Sequence, residues 1–174
     1  MTQMLARALR VPSSRRLAIG MTVCLAAGFS LSAAMGASAP QIEALDGRIR
    51  GAERILVATV QRVTPAWHTN PYGDRLIVSR IELSVAETLK GESGATAWME
   101  MEGGSLDGLT LRVSSLPALQ VGERAVFFLE SRARGMYAPF MRGEGILTLD
   151  ESDGVRGGTL RLDDIRSRAQ SLGR

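Results

Sequence analysis

Asp74-Arg-Leu-Ile-Val-Ser-Arg-Ile-Glu-Leu-Ser-Val-Ala-Glu-Thr-Leu-Lys-Gly91 is the stretch on which the fold turns. Ile77, Ile81, Leu83 and Val85 share one parity, and Arg80, Glu82 and Ser84 share the other. A period of two carried by β-branched and aliphatic residues marks a half-buried strand. The run is also long for a strand, for which about five or six residues is usual. A strand of that length twists enough to meet different neighbours along its two halves, as in a small closed barrel.

Outward from this strand, the chain reads as further β structure between two helices. Toward the N-terminus, Glu53 to Val63 is a strand with Ile55-Leu56-Val57-Ala58 apolar on both faces. Before it, Ile42, Leu45, Ile49 and Ala52 form a helical stripe over Gln41 to Ala52,. Between the two strands, Thr64 to Gly73 contains Pro65, Pro71 and Gly73 and reads as a loop,. Toward the C-terminus, Ala97, Met99 and Met101 alternate with Thr96, Trp98, Glu100 and Glu102. Gly103-Gly104 marks a corner or bulge after that strand,. Leu109, Leu111 and Val113 make a short strand, and Ala125-Val126-Phe127-Phe128-Leu129 a fully buried one,. Met136 to Met141 and Gly145 to Leu149 read as a hairpin through Arg142-Gly143-Glu144, and Asp150 to Gly158 as a mobile loop. A second helix covers Asp163 to Leu172, with Asp163 and Asp164 at its positive end and Gly173 stopping it,. The expectation is a mainly β fold, a five- or six-stranded OB-like barrel flanked by an N-terminal and a C-terminal helix.

The first 39 of the 174 residues read as a leader outside that fold. Arg7, Arg10, Arg15 and Arg16 precede the apolar run Leu17 to Leu31, and small residues follow to Ala39. This is the pattern of a cleaved secretory signal peptide. The run is shorter than the roughly 20 apolar residues of a membrane span. Ser14-Arg15-Arg16-Leu17 matches a twin-arginine signal only loosely, and Cys24 lies inside the apolar run, where a passive role suits it,. Residues 40–174 then form one domain, exported to the periplasm or beyond. Four of the 21 basic residues belong to the leader, so 17 basic and 18 acidic residues remain from Pro40, a net charge of −1. That balance does not favour a nucleic-acid partner, which needs a basic face. No cysteine remains after the leader, so the domain relies on its apolar core,.

Candidate chemistry is sparse. His68 is the only histidine. A small serine hydrolase would pair it with Ser93 in Gly91-Glu92-Ser93-Gly94, or with Ser105, and orient it with Asp74. The serine lacks the full Gly-x-Ser-x-Gly elbow, and a plain turn serine is the simpler reading. One histidine without cysteine does not make a zinc site. Asp150, Glu151 and Asp153 match no calcium-loop spacing. Gly143-Glu144-Gly145 is too short to cradle phosphate, and no cofactor is expected. The binding candidates are aromatic: Trp67, His68 and Tyr72 in the loop, and Trp98 on its strand,. For Trp98, packing beneath a helix or loop is the simpler reading, since large aromatics are usually mostly buried.

Four pieces carry a resemblance: Glu53 to Val60, Leu83 to Gly91 ending Leu-Lys-Gly, Glu102-Gly103-Gly104, and Val121-Gly122-Glu123-Arg124 through Leu129. Gly145 in Arg-Gly-Glu-Gly-Ile fits the same pattern. In order and spacing they resemble a group of exported bacterial proteins similar to the OB-fold barrels of netrin-like modules and tissue inhibitors of metalloproteinases. The resemblance implies structural roles for Gly91, Gly103, Gly104, Gly122 and Gly145. In the inhibitors an N-terminal cysteine chelates the zinc of the target, and this chain has none at that place. The function expected is a non-catalytic exported module binding a protein or peptide, with an extracellular protease as one partner class. The alternatives are the hydrolase of Ser93 and His68, or a structural component of the envelope.

Overall fold

The computed structural model describes residues Ala39 to Gly173. The leader, with Cys24 and its arginine pair, lies outside the described residues apart from Ala39. Helix α1 (Ala39–Gly51) is followed by strands β1 (Arg54–Thr69), β2 (Arg75–Lys90) and β3 (Thr96–Glu102). The short strands β4 (Gly104–Leu106) and β5 (Leu109–Leu111) come next, then β6 (Arg124–Ser131), β7 (Tyr137–Pro139), β8 (Ile146–Thr148) and helix α2 (Leu162–Leu172). The sheet runs β1-β2-β3-β7-β6, and β6 pairs back onto β1, so five strands close into a ring. The protein is a mainly β, OB-like barrel with a short helix at either end of the chain.

The founding stretch forms β2 as its alternation requires. Ile77, Ile81 and Leu83 are buried, and Arg80 is exposed. β2 pairs with β1 along its whole length and with β3 from Val78 to Ser84. β1 shows the division of neighbours most clearly. Ile55 to Thr59 lies between β2 and β6, and beyond Thr59 the strand keeps only β2 as its partner, in an arm that β3 flanks along Val78 to Ser84 and that is two-stranded from Trp67 outward. Register shifts leave Leu89, Ala86 and Gln61 as extra residues. Such bulges raise local twist, which lets a long ribbon curl onto β6.

Both faces of β1 and β6 are apolar because each face has its own core. Leu56, Ala58, Phe127 and Leu129 point into the barrel with Ile81, Leu83 and Met99. Ile55, Val57, Val126 and Phe128 point outward beneath Leu45 and Ile49 of α1 and Leu162 and Ile165 of α2. The Leu-Lys-Gly segment joins the two layers. Lys90 Nζ donates to the carbonyls of Ile49 (2.8 Å), Arg50 (3.1 Å) and Ala52 (2.6 Å), capping the negative end of α1,. Gly91 follows at φ +84°, and a Cβ there would lie 2.7 Å from the Glu53 carbonyl. An L-residue would meet both the conformational and the steric penalty.

Three expectations are corrected. Thr64 to Thr69 is strand where the sequence reads as loop: Pro65 pairs with Ser79, and the turn is confined to Asn70–Asp74. Pro65 is tolerated because this part of β1 has left β6 and is an edge, where a missing donor leaves no ladder bond unmade. Second, β7 and β8 do not pair as a hairpin. Both lie antiparallel along the same edge of β6, β7 against Leu129 to Ser131 and β8 against Ala125 to Phe127. They are one strand interrupted by an excursion from Met141 to Gly145, entered through Met141 and Arg142 at φ +53° and +58°. Third, Asp150 to Gly158 is tied down. Asp150 Oδ1 accepts from the amides of Ser152 and Gly154 and from the Ser152 hydroxyl, which holds its carboxyl below the usual range. Arg124 binds Asp153 at 2.5 Å.

The two helices are joined by Asp46 of α1 and Arg168 of α2, whose guanidinium donates at 2.8 and 2.6 Å. These hydrogen bonds lower the Asp46 carboxyl below its ordinary value, against the opposing push of burial; the charges of Arg168 and Arg50 add to the lowering. A carboxyl so lowered contributes stability at any pH above its unfolded value near 3.9, and loses it as pH falls through the lower folded value. In Arg168→Met the carboxyl loses these donors, so the acid-unfolding midpoint should rise toward pH 4 or above. An unchanged midpoint in an ellipticity titration would contradict this.

A candidate binding cleft beneath the arm

The arm carries two faces. Val63, Pro65 and Trp67 of β1 share the inner face with Ile77, Ser79 and Ile81 of β2, which continues the barrel interior. Thr64, Ala66 and His68 share the outer face with Leu76, Val78 and Arg80. The β4–β5 hairpin folds over the inner face. It is set there by the corner at Gly103-Gly104: the Ser79 hydroxyl donates to the Gly103 carbonyl (2.7 Å), and the Gly103 amide donates to Ile77 (2.8 Å). Gly104 has φ +132°, and a Cβ there would sit 2.5 Å from Ser79 Oγ and 3.3 Å from Pro65. Only glycine combines that backbone with that approach.

At its tip the hairpin is held by tryptophan. Trp67 Nε1 donates to Asp107 Oδ2 at 3.0 Å, and the Arg75 guanidinium stacks 4.6 Å from the ring centroid,. At its base Ser105 and Thr110 hydroxyls bond at 2.8 Å. Between the inner face, the hairpin and the segment from Arg112 to Leu119 lies a half-open cleft of about 470 Å³. Val63, Ile81, Met101, Leu111, Val113 and Leu119 make its apolar wall, and Ser79, Ser105, Thr110 and Arg112 its polar groups.

The four residues expected at a site are dispersed. Trp67 braces the hairpin beside the cleft. His68 is exposed on the opposite face of the same strand. Tyr72 stands at the arm's tip, 90% exposed, in a turn organised by Asn70, which accepts from the Tyr72 and Asp74 amides. Trp98 is 37% exposed on the outer face, level with Glu82 and Arg62. His68 is level with Leu76, six residues along β2 from Glu82 and so about 20 Å from Trp98 at roughly 3.3 Å per residue,. Of the glycines, Gly122 donates its amide to Val60 at 2.8 Å beside the mouth of the barrel.

The hydrolase constellation is not assembled. Ser93 follows the end of β2 at which Lys90 faces Ile55, whereas His68 faces Leu76 at the other end of the ribbon. Thirteen residues of extended chain separate those levels, about 40 Å. Asp74 is bonded by Asn70 Nδ2 at 3.0 Å, and Ser105 by Thr110. Among the described residues no three His, Cys, Asp or Glu side chains converge as a metal site. No described helix is long and apolar enough to cross a membrane. The cleft itself was not read from the sequence. Its signal in the sequence is the Gly103-Gly104 corner followed by the Leu109, Leu111, Val113 alternation, which reads there as a further short strand. No protein-family model matches the chain, and no curated protein does.

Proposed function

We propose that the chain is an exported, non-catalytic binding module whose cleft takes an apolar segment of a protein or peptide partner. The observation that carries this is the 470 Å³ cleft itself, apolar over most of its lining with a few hydroxyls and one guanidinium among it. Binding sites have that make-up and that size, and are largely formed before the ligand arrives. The Trp67–Asp107 and Ser79–Gly103 bonds favour a preformed site by pinning the hairpin at both ends. Export rests on the leader pattern, and the resemblance to netrin-like barrels adds secreted proteases as a partner class.

The test is a peptide library panned against the purified protein and against Leu111→Asp. Leu111 lines the cleft without belonging to either buried core cluster, so the fold should survive the change. The wild type should enrich peptides sharing one or two apolar residues, with binding at least tenfold weaker in the variant at an equal melting temperature. Equal binding by both proteins, or no enrichment, would overturn the proposal. Immobilised secreted proteases test the partner class: retention of none by the wild type would remove them.

A further inference from the structure

Arg54 opens β1 and is 5% exposed. It faces Leu129 in register and shares the parity of Leu56 and Ala58, so its side chain closes the end of the barrel away from the arm. Its guanidinium carbon lies 5.3 Å from the centroid of Tyr137. Nε is fully enclosed without an acceptor, and neither Nη has a hydrogen-bond or ion-pair partner among the described residues. Arg48 Nε is likewise enclosed without an acceptor, but its Nη2 faces Glu144 at 3.6 Å. Most other described arginines hold a carboxylate, as Arg62, Arg80, Arg142 and Arg166 do. Arg112 has no carboxylate but is exposed, where water serves it.

The neighbouring acids do not help. Glu53 accepts from Ser131 at 2.5 Å, and Glu130 from Arg132 at 2.5 Å. A buried, unpaired charge is strongly unfavourable, and a guanidinium cannot escape by losing its proton. The ring of Tyr137 offsets part of this and satisfies none of the donors. An acceptor from outside the chain would reach the two Nη groups, which are not fully enclosed. The planar fork of an arginine suits one class of acceptor best, an oxyanion that takes two parallel bonds. Gly94 lies beside the fork, where a Cβ would stand 3.6 Å from Arg54 Nη2.

We infer that Arg54 is the anchor of an oxyanion-binding site, for a carboxylate or a phosphate group, at the end of the barrel bounded by Gly91 to Gly94 and Tyr137. It lies nine residues along β1 from Val63, about 30 Å from the cleft, and does not rest on the binding-module reading,.

The experiment is thermal unfolding of the purified protein at constant ionic strength, with chloride replaced stepwise by phosphate or by acetate. The midpoint should rise by several degrees and saturate, because a ligand of the folded state stabilises it by mass action. A rise with phosphate alone or with acetate alone identifies which oxyanion the site prefers. Arg54→Met should lose the rise while melting at or above the ligand-free wild type, since an apolar side chain removes the uncompensated charge. In the wild type the Arg54 Nε resonance should shift along the same titration, a readout that does not depend on the variant folding. An equal midpoint in all three anions, the same rise in Arg54→Met, or a stationary Nε resonance would overturn the site.

Discussion

Gly145→Ala should destabilise the protein by about 3 kcal/mol or more, enough to leave a domain of ordinary stability largely unfolded at 37 °C. Gly145 ends the excursion between β7 and β8 and returns the chain to β6. A Cβ built there collides with the Phe140 carbonyl oxygen and stands 2.9 Å from its nitrogen and 3.0 Å from the Phe128 carbonyl. All three atoms are backbone, and the Phe140 amide is itself bonded to Phe128 at 2.8 Å. No side chain can rotate away, so relief requires the ladder on β6 to open. The comparison is Gly47→Ala in α1. Nothing lies within 4 Å of a Cβ there, and the alanine should stabilise by roughly 0.5–1 kcal/mol through helix propensity,. Chemical denaturation of the two variants checks both signs. A Gly145→Ala protein within about 0.5 kcal/mol of wild type would mean that β7 and β8 are not held as one interrupted strand.

Phe127→Ala should cost about 4 kcal/mol, within the range of large-to-small changes in a well-packed core. Phe127 and Phe128 are adjacent and completely buried, yet they fill different cores. Phe127 sits inside the ring with Leu56, Met99 and Ile146, where five paired strands limit collapse around a cavity. Phe128→Ala removes the same atoms from the layer beneath α1 and α2. Helices can settle toward a vacated volume more readily than a closed ladder can, so its loss should be smaller. Hydrogen exchange separates the two: Phe127→Ala should raise exchange through β1, β3 and β6, and Phe128→Ala chiefly in the helices. Equal losses with the same exchange pattern would argue against two separate cores.

Much of this architecture was legible because it rests on periodicity. The alternation of Ile77, Ile81 and Leu83 placed β2, and that of Ala97, Met99 and Met101 placed β3. The uninterrupted apolar runs Ile55 to Ala58 and Ala125 to Leu129 marked the strands covered on both faces. The stripes Leu45, Ile49, Ala52 and Leu162, Ile165, Ala169 placed the helices to within two residues. These signals are local, since each reports how one segment divides between oil and water.

What failed depended on neighbours that a segment does not contain. Pro65 breaks a strand in general, but here it lies where β1 has no second partner. Met141 and Arg142 carry no sign of left-handed backbone. They adopt it because the chain must leave the β6 ladder and rejoin it at Gly145. Trp67 and His68 are consecutive and look like one aromatic patch, yet a strand sends adjacent side chains to opposite faces, one to Asp107 and the other to solvent. The register of β1 on β2 separates Ser93 from His68.

By itself the sequence specified the class of the fold, its strands and its flanking helices, because hydrophobic periodicity follows from burial one residue at a time. The tertiary structure alone decided the closure of the ring, the cleft beneath the arm and the isolation of Arg54. Each of these is set by which segments meet across the barrel, and pairing between distant strands leaves no periodic mark on either one.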